Sequence, residues 1–162
     1  MKKISSARVA FTVVIAVLVY GCNPVKWIPD GSFLLKRNVI HLDTLHELKE
    51  QLNTLIKQKP NRKLLGVFYP YVWFYQKGSS GKSTGFKRWL KEIGEEPSIL
   101  DTALTHRTAN QLKLFMWKHG FFNAEVVDSF RTEGRFAISE YVITSGTPYT
   151  VGSIDYSTRD SM

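Results

Sequence analysis

Three sets of residues in this chain have types that could do chemistry. They are a glycine–serine–lysine run at 78–83, four histidines, and a single cysteine, Cys22. Gly78-Ser79-Ser80-Gly81-Lys82-Ser83 ends like a phosphate-binding loop, in which successive backbone amides encircle a phosphate. That loop needs four residues between its glycines; here there are two, and Gln76 stands where the first glycine belongs. The spacing favours a flexible turn. His41, His46, His106 and His119 have no metal-ligand spacing, and helix first turns (His46, His106) or a helix end (His119) account for three of them. No nucleophile elbow or carboxylate pair surrounds the serines, histidines and acidic residues. No catalytic residue, metal ligand or cofactor is expected, and the chain reads as a non-enzyme.

Cys22 is different because of what precedes it. Lys2, Lys3 and Arg8 form a basic start, Val9 to Tyr20 is apolar, and Gly21 is a small residue at a cleavage position. That combination is a secretory signal over residues 1–21. Val19-Tyr20-Gly21-Cys22 resembles a lipobox, which implies a diacylglyceryl group on the thiol and a mature chain beginning at Cys22. The competing reading is a plain signal anchor with an idle thiol, but an anchor takes about 20 apolar residues and this run is about half that. Two or more acyl chains hold a protein stably on a membrane. A cysteine used this way leaves none for disulfides or zinc clusters, so the core must be held by packing. No acidic residue follows closely in Asn23-Pro24-Val25-Lys26, and a domain facing the periplasm is expected.

The formal charge is +8; without the three basic residues of the signal it is 19 basic against 14 acidic, or +5. A mildly basic envelope protein suits anionic lipid surfaces or acidic proteins, and nucleic acid is not an expected partner. About 140 mature residues make one compact domain with attachments. They are too few for a large outer-membrane barrel, whose strands take about 10 residues each and number at least eight.

Several elements must position these residues. Asn23 to Ser32, with Pro24, Pro29 and Gly31, reads as part of an extended tether over 22–32. Phe33 to Leu42 is apolar and β-branched, a strand. Thr44 and Glu47 match a capping box, and Leu45, Leu48, Leu52, Leu55 and Ile56 recur at helical spacing, predicting a helix over 45–57. Gly78 to Gly81 reads as a turn and Thr84 to Ile93 as a short helix. Thr105 is a candidate cap for a helix whose inner face is Ala109, Leu112, Phe115 and Met116, with Gly120 as the residue after its end. Phe122, Ala124, Val126 and Phe130 then alternate along a strand, Thr132-Glu133-Gly134 turns, and Phe136 to Ile143 returns. Tyr149 to Tyr156 reads as a further strand.

The order strand, helix, elaborated segment, helix, strand, strand resembles a POTRA domain, the periplasmic β-α-α-β-β module of the BamA/TamA outer-membrane assembly and translocation family. Four strings carry the likeness: 58–66 (Gln-Lys-Pro-Asn-Arg-Lys-Leu-Leu-Gly), Gly94-Glu95-Glu96-Pro97 with Leu100-Asp101, the run from Gln111-Leu112 through Lys118-His119-Gly120-Phe121-Phe122-Asn123-Ala124-Glu125-Val126, and Gly146-Thr147-Pro148-Tyr149 with Ile154. The resemblance implies an α+β fold over 33–146, elaborated at 62–98, and an incomplete second unit at 147–162. Family members continue into further modules and a barrel, so this chain reads as a fragment or a truncated product. It also implies an outer-membrane, lipid-anchored module that binds client outer-membrane proteins or assembly subunits. An edge strand at about Phe121–Phe130 would receive client strands at Phe122, Ala124 and Val126. The alternative is a stand-alone envelope lipoprotein that binds a ligand or cell-wall polymer.

One segment remains. From Lys57 to Lys91 there are nine basic residues and no acidic one, interleaved with Phe68, Tyr69, Tyr71, Trp73, Phe74, Tyr75, Phe86 and Trp89. Aromatic and basic residues together suit a lipid headgroup interface, with Trp73, Tyr75, Lys87 and Trp89 as contacts. Packing of the aromatics onto the domain under a coat of lysines is the competing reading, and a protein-partner groove the third.

Overall fold

Leu34–Leu42 forms strand β1, apolar on either side of Lys36-Arg37-Asn38, and a bulge between Leu35 and Arg37 shifts its register. The computed structural model describes residues 24–43 and 45–155, without the side chain of His46. The signal at 1–21, Cys22, the expected cap Thr44 and residues 156–162 lie outside the described residues. A short 3-10 turn, His46–Leu48, leads into helix α1, Lys49–Thr54. The helix expected over 45–57 is therefore shorter. Leu45 has φ +62°, a left-handed conformation that no right-handed helix contains.

Helix α2, Pro70–Ser79, opens with proline in its first turn, where the missing amide has no helical partner to lose. Its last turn holds Gly78 and Ser79, so only the end of the expected 78–81 turn is turn. Thr84 caps helix α3, Gly85–Ile93, by accepting the Lys87 N–H. Helix α4, Thr102–Lys118, is capped by Asp101 and not by Thr105: the Asp101 carboxylate accepts the N–H groups of Ala103 and Leu104 at 2.8 and 3.2 Å. Thr105 lies inside the helix and is buried, its hydroxyl donating to the Asp101 carbonyl. Gly120, φ +87°, ends the helix.

Strands β2, Glu125–Glu133, and β3, Phe136–Thr144, are joined by the two-residue loop Gly134-Arg135, with φ +62° at the glycine. The fold is α+β: a mixed three-stranded sheet in the order β1-β3-β2, β3 parallel to β1 and antiparallel to β2.

Both faces of that sheet carry a core. On one, Ile40, Tyr141 and Ile143 pack against Leu52 of α1 and Ala109, Leu112 and Met116 of α4. Phe115, expected beside them, packs against this core but is only half-buried, with its ring against His119. On the other face, Leu34, cross-strand from Phe136, meets Ile28, Tyr69 and Val72. Side chains of a strand alternate between faces, yet Ala137, Ile138 and Ser139 are buried in succession. That end of β3 is covered on both sides.

The second core overturns the tether. Pro24–Trp27 is a 3-10 turn, Ile28 is 5% exposed, and Arg135 donates to the carbonyls of Ile28 and Pro29 at 2.9 and 2.7 Å. The described part of 22–32 is thus docked onto the sheet. Tyr149–Asp155, expected to begin a strand, has no regular structure. Instead the Tyr149 N–H donates to the Gly120 carbonyl at 2.8 Å, and the Tyr149 ring meets Phe122 edge-on.

Candidate binding surfaces

Among the described residues no three His, Cys, Asp or Glu side chains gather to hold a metal ion. His106 pairs with Asp128 across 3.2 Å, and His119 bonds the Phe115 carbonyl at 2.8 Å. The run at 78–83 begins in the last turn of α2, so the strand–loop–helix setting of a phosphate loop is not there.

An open cleft of about 760 Å³ runs between residues 58–62 and 95–101. Its centre is a structural clasp. Burial raises the Glu95 carboxyl, but the Arg62 N–H and guanidinium and the Asn61 amide all donate to it and outweigh that effect, holding it below the usual carboxylate range. Arg62 also lies 4.2 Å over the Tyr71 ring. Asn61 is buried, donating to the Glu96 carbonyl and accepting from the Ser98 N–H. The clasp ties the end of α3 to the segment after α1.

The sheet has two edges with different surroundings. The outer side of β1 is covered over its first half. The Leu35 N–H donates to the Ser98 carbonyl, Leu34 and Ile99 form a bridge, and Lys63 donates to the Lys36 carbonyl. β2 pairs only with β3 among the described residues. A two-residue loop closes on a hydrogen-bonded pair, here Glu133 and Phe136, and pairs alternate from there. By that count Val126, Asp128, Phe130 and Thr132 direct their amides outward.

The expected client-strand residues therefore separate. Val126 is on β2, but Phe122 and Ala124 precede it, in the turn between α4 and the strand. Phe122 is exposed against Tyr149, whereas Ala124 is buried under α4 in the first core. The alternation of Phe122, Ala124 and Val126 imitated a strand start; Gly120 and the turn behind it displaced the strand by several residues. Phe130 lies on β2 as expected, and Thr132, expected in the hairpin turn, belongs to the strand as well.

Helices α2 and α3 form a hairpin built on glycine. A Cβ on Gly78 would stand 2.5 Å from the Lys91 nitrogen, and one on Gly94 2.3 Å from the Tyr75 nitrogen. Backbone approaches backbone at both positions, and only glycine allows it. Trp73 and Tyr75 are half-buried in this hairpin, Trp73 against Phe74 and Tyr75 under the Lys91 ammonium. Lys87 turns inward to donate to the Ser80 carbonyl at 2.7 Å. Of the four expected interface contacts only Trp89 stands out into solvent, stacked on Phe86 with ring centroids 5.8 Å apart. Phe86 and Lys77 belong to the aromatic and basic segment but were not among the four named contacts, and the exposed Trp27 lies outside that segment.

No helix among the described residues is long and apolar enough to cross a membrane. No protein-family model matches the chain, and comparisons with curated proteins and with solved structures give no significant match.

Proposed function

We propose that this chain is a lipid-anchored, periplasmic, non-catalytic POTRA-like module of an outer-membrane protein assembly or translocation factor. It is held at the outer membrane through acyl chains on Cys22 and binds client strands by pairing them with β2. The observation that carries the reading is the unpaired outer side of β2 in a sheet whose opposite edge is partly covered. Unpaired amides and carbonyls there accept an extended peptide through main-chain hydrogen bonds. Such bonds are blind to side chains, so one site takes many unrelated strands. Binding of that kind is weak and suits handing a client onward.

The test separates main chain from side chain at Phe130. Phe130→Pro removes an outward amide and leaves the ladder to β3 intact, whereas Phe130→Ala keeps the amide. Crosslinking of nascent outer-membrane strands to β2 is expected to fall for Phe130→Pro and to persist for Phe130→Ala, with circular dichroism unchanged in both. Equal crosslinking in the two variants defeats the strand-pairing reading. Acylation is tested by mass spectrometry of the N-terminal peptide, where Cys22→Ser is expected to abolish the lipid-bearing species.

A further inference from the structure

We propose that the α2–α3 hairpin and the docked N-terminal segment rest on an anionic bilayer surface, so that the domain stands on the membrane instead of hanging from a tether. The inference relies on the reading of Cys22 as the acyl site and adds the surface and its orientation. Three observations converge on it.

The first is distance. Two Cα steps separate Cys22 from Pro24, so the thiol-bearing residue lies within about 8 Å of it. Pro24 begins a turn fixed to the fold by Ile28 and Arg135. Within that turn Trp27 is partly exposed, and Lys77 of α2 lies 5.9 Å from its ring centroid. Pro24, two residues after the proposed acyl site, therefore belongs to a turn held beside the hairpin.

The second is an unfinished amphipathic helix. In α3 the apolar residues Phe86, Trp89, Leu90 and Ile93 fall on one stripe, with Lys87, Arg88 and Lys91 around the rest. Leu90 is buried and Ile93 half-buried, but Phe86 and Trp89 remain 67% and 52% exposed. Bulky aromatics on one face and basic residues on the other are the pattern of a helix lying in a headgroup layer.

The third is charge. No acidic residue occurs between Gln51 and Lys91, so the hairpin presents cations only up to Glu92. Each lysine or arginine held near an anionic leaflet is drawn to it. A surface of this sign and composition fits anionic headgroups better than an acidic groove, because its aromatics need an apolar layer beneath the charge.

Two single-tryptophan forms of the full chain test this, one keeping Trp89 and the other Trp117, with the remaining tryptophans changed to Phe. Trp117 is on α4, against the opposite face of the sheet. Both are reconstituted in phosphatidylethanolamine–phosphatidylglycerol vesicles with brominated acyl chains. The Trp89 form is expected to lose about half its emission, because an interfacial helix sits about 5–10 Å into the boundary layer, and the Trp117 form almost none. Equal quenching of the two, or none in either, overturns the proposal; none together with a dimer in sedimentation assigns the hairpin to a second copy. Where the substitutions unfold the chain, hydrogen exchange of the unsubstituted protein on the same vesicles replaces them. Protection must then rise in α3 and not in α4, and the reverse overturns the proposal. The mass of the N-terminal peptide keeps the two readings apart. Quenched Trp89 without acyl chains removes the anchor and keeps the surface, and an acylated chain with Trp89 unquenched does the opposite.

Discussion

At the scale of single residues, position relative to the two cores decides what a side chain is worth. Leu112 is fully buried between α4 and the sheet, so Leu112→Ala is expected to cost about 2–5 kcal/mol. Phe115, one turn on, is half-buried with its ring 4.1 Å from His119, and Phe115→Ala is expected to cost less. Urea unfolding of both variants measures the difference; equal losses would refute this ordering. Glu95 makes a pH-dependent contribution. Its carboxyl titrates below the ordinary value of 4.5 in the folded chain, so in that range the unfolded chain binds more protons. The stabilisation is therefore present above 4.5 and lost as pH falls through the lower folded value. Glu95→Gln is expected to cost about 1 kcal/mol at neutral pH, the worth of a typical hydrogen bond. The gap to the unsubstituted chain should close as pH falls from 4.5 through the lower folded value. A gap independent of pH would show that the clasp works without its charge.

At the scale of elements, the α2–α3 hairpin depends on two glycines that make no turn of their own. Neither Gly78 nor Gly94 has a positive φ, so their value lies in the absent side chain. Gly94→Ala forces a Cβ into the Tyr75 backbone, which cannot yield as a flexible side chain would. An overpacking cost of about 1–3 kcal/mol is expected, with faster hydrogen exchange in α2 and α3 and little change in β3. An unaltered melting temperature would show that the helices do not cross there. α3 itself is nine residues long, too short to persist in water without a packing partner. Its order therefore depends on α2, and through the Glu95 clasp on the segment after α1.

For the whole molecule, the sheet lies between two cores that share β3. Phe136 and Ile138 serve one face, Tyr141 and Ile143 the other. Loss of either core should weaken the common strand, and a single cooperative transition is expected. Ile28→Ala, more than a hundred residues from β3, is expected to lower the melting temperature of the entire domain by the equivalent of about 2–5 kcal/mol. A free tether at 22–32 would leave the melt unchanged, and a second, earlier transition would show that the cores fold apart. Docking of the N-terminal segment is also what turns a lipid on Cys22 into an orienting contact. A flexible spacer of ten residues would let the domain face any direction.

The sequence by itself determined the elements that bury one regular face. β1 was legible from its apolar and β-branched content, β3 as the return from the turn at Gly134, α4 from Ala109, Leu112 and Met116 at helical spacing with Gly120 behind them, and α3 as a short helix from Thr84 to Ile93. It also placed Cys22 after its apolar run and the cation-only stretch up to Lys91. Those signals are local and periodic, and local physics reads them. α2 stayed silent because Tyr71, Val72, Trp73, Phe74 and Tyr75 are apolar or aromatic all round, leaving no stripe to detect. The second core was illegible for a related reason: Ile28, Leu34, Tyr69 and Val72 come from separate segments, each supplying one or two side chains. The resemblance had already implied an edge position for the strand after α4, and β2 does lie at an edge; only the tertiary structure decided that the second core's segments meet and that Gly78 and Gly94 mark a helix crossing. Contacts between distant segments are set by how the faces fit once the chain is folded, and no short window of residues contains them.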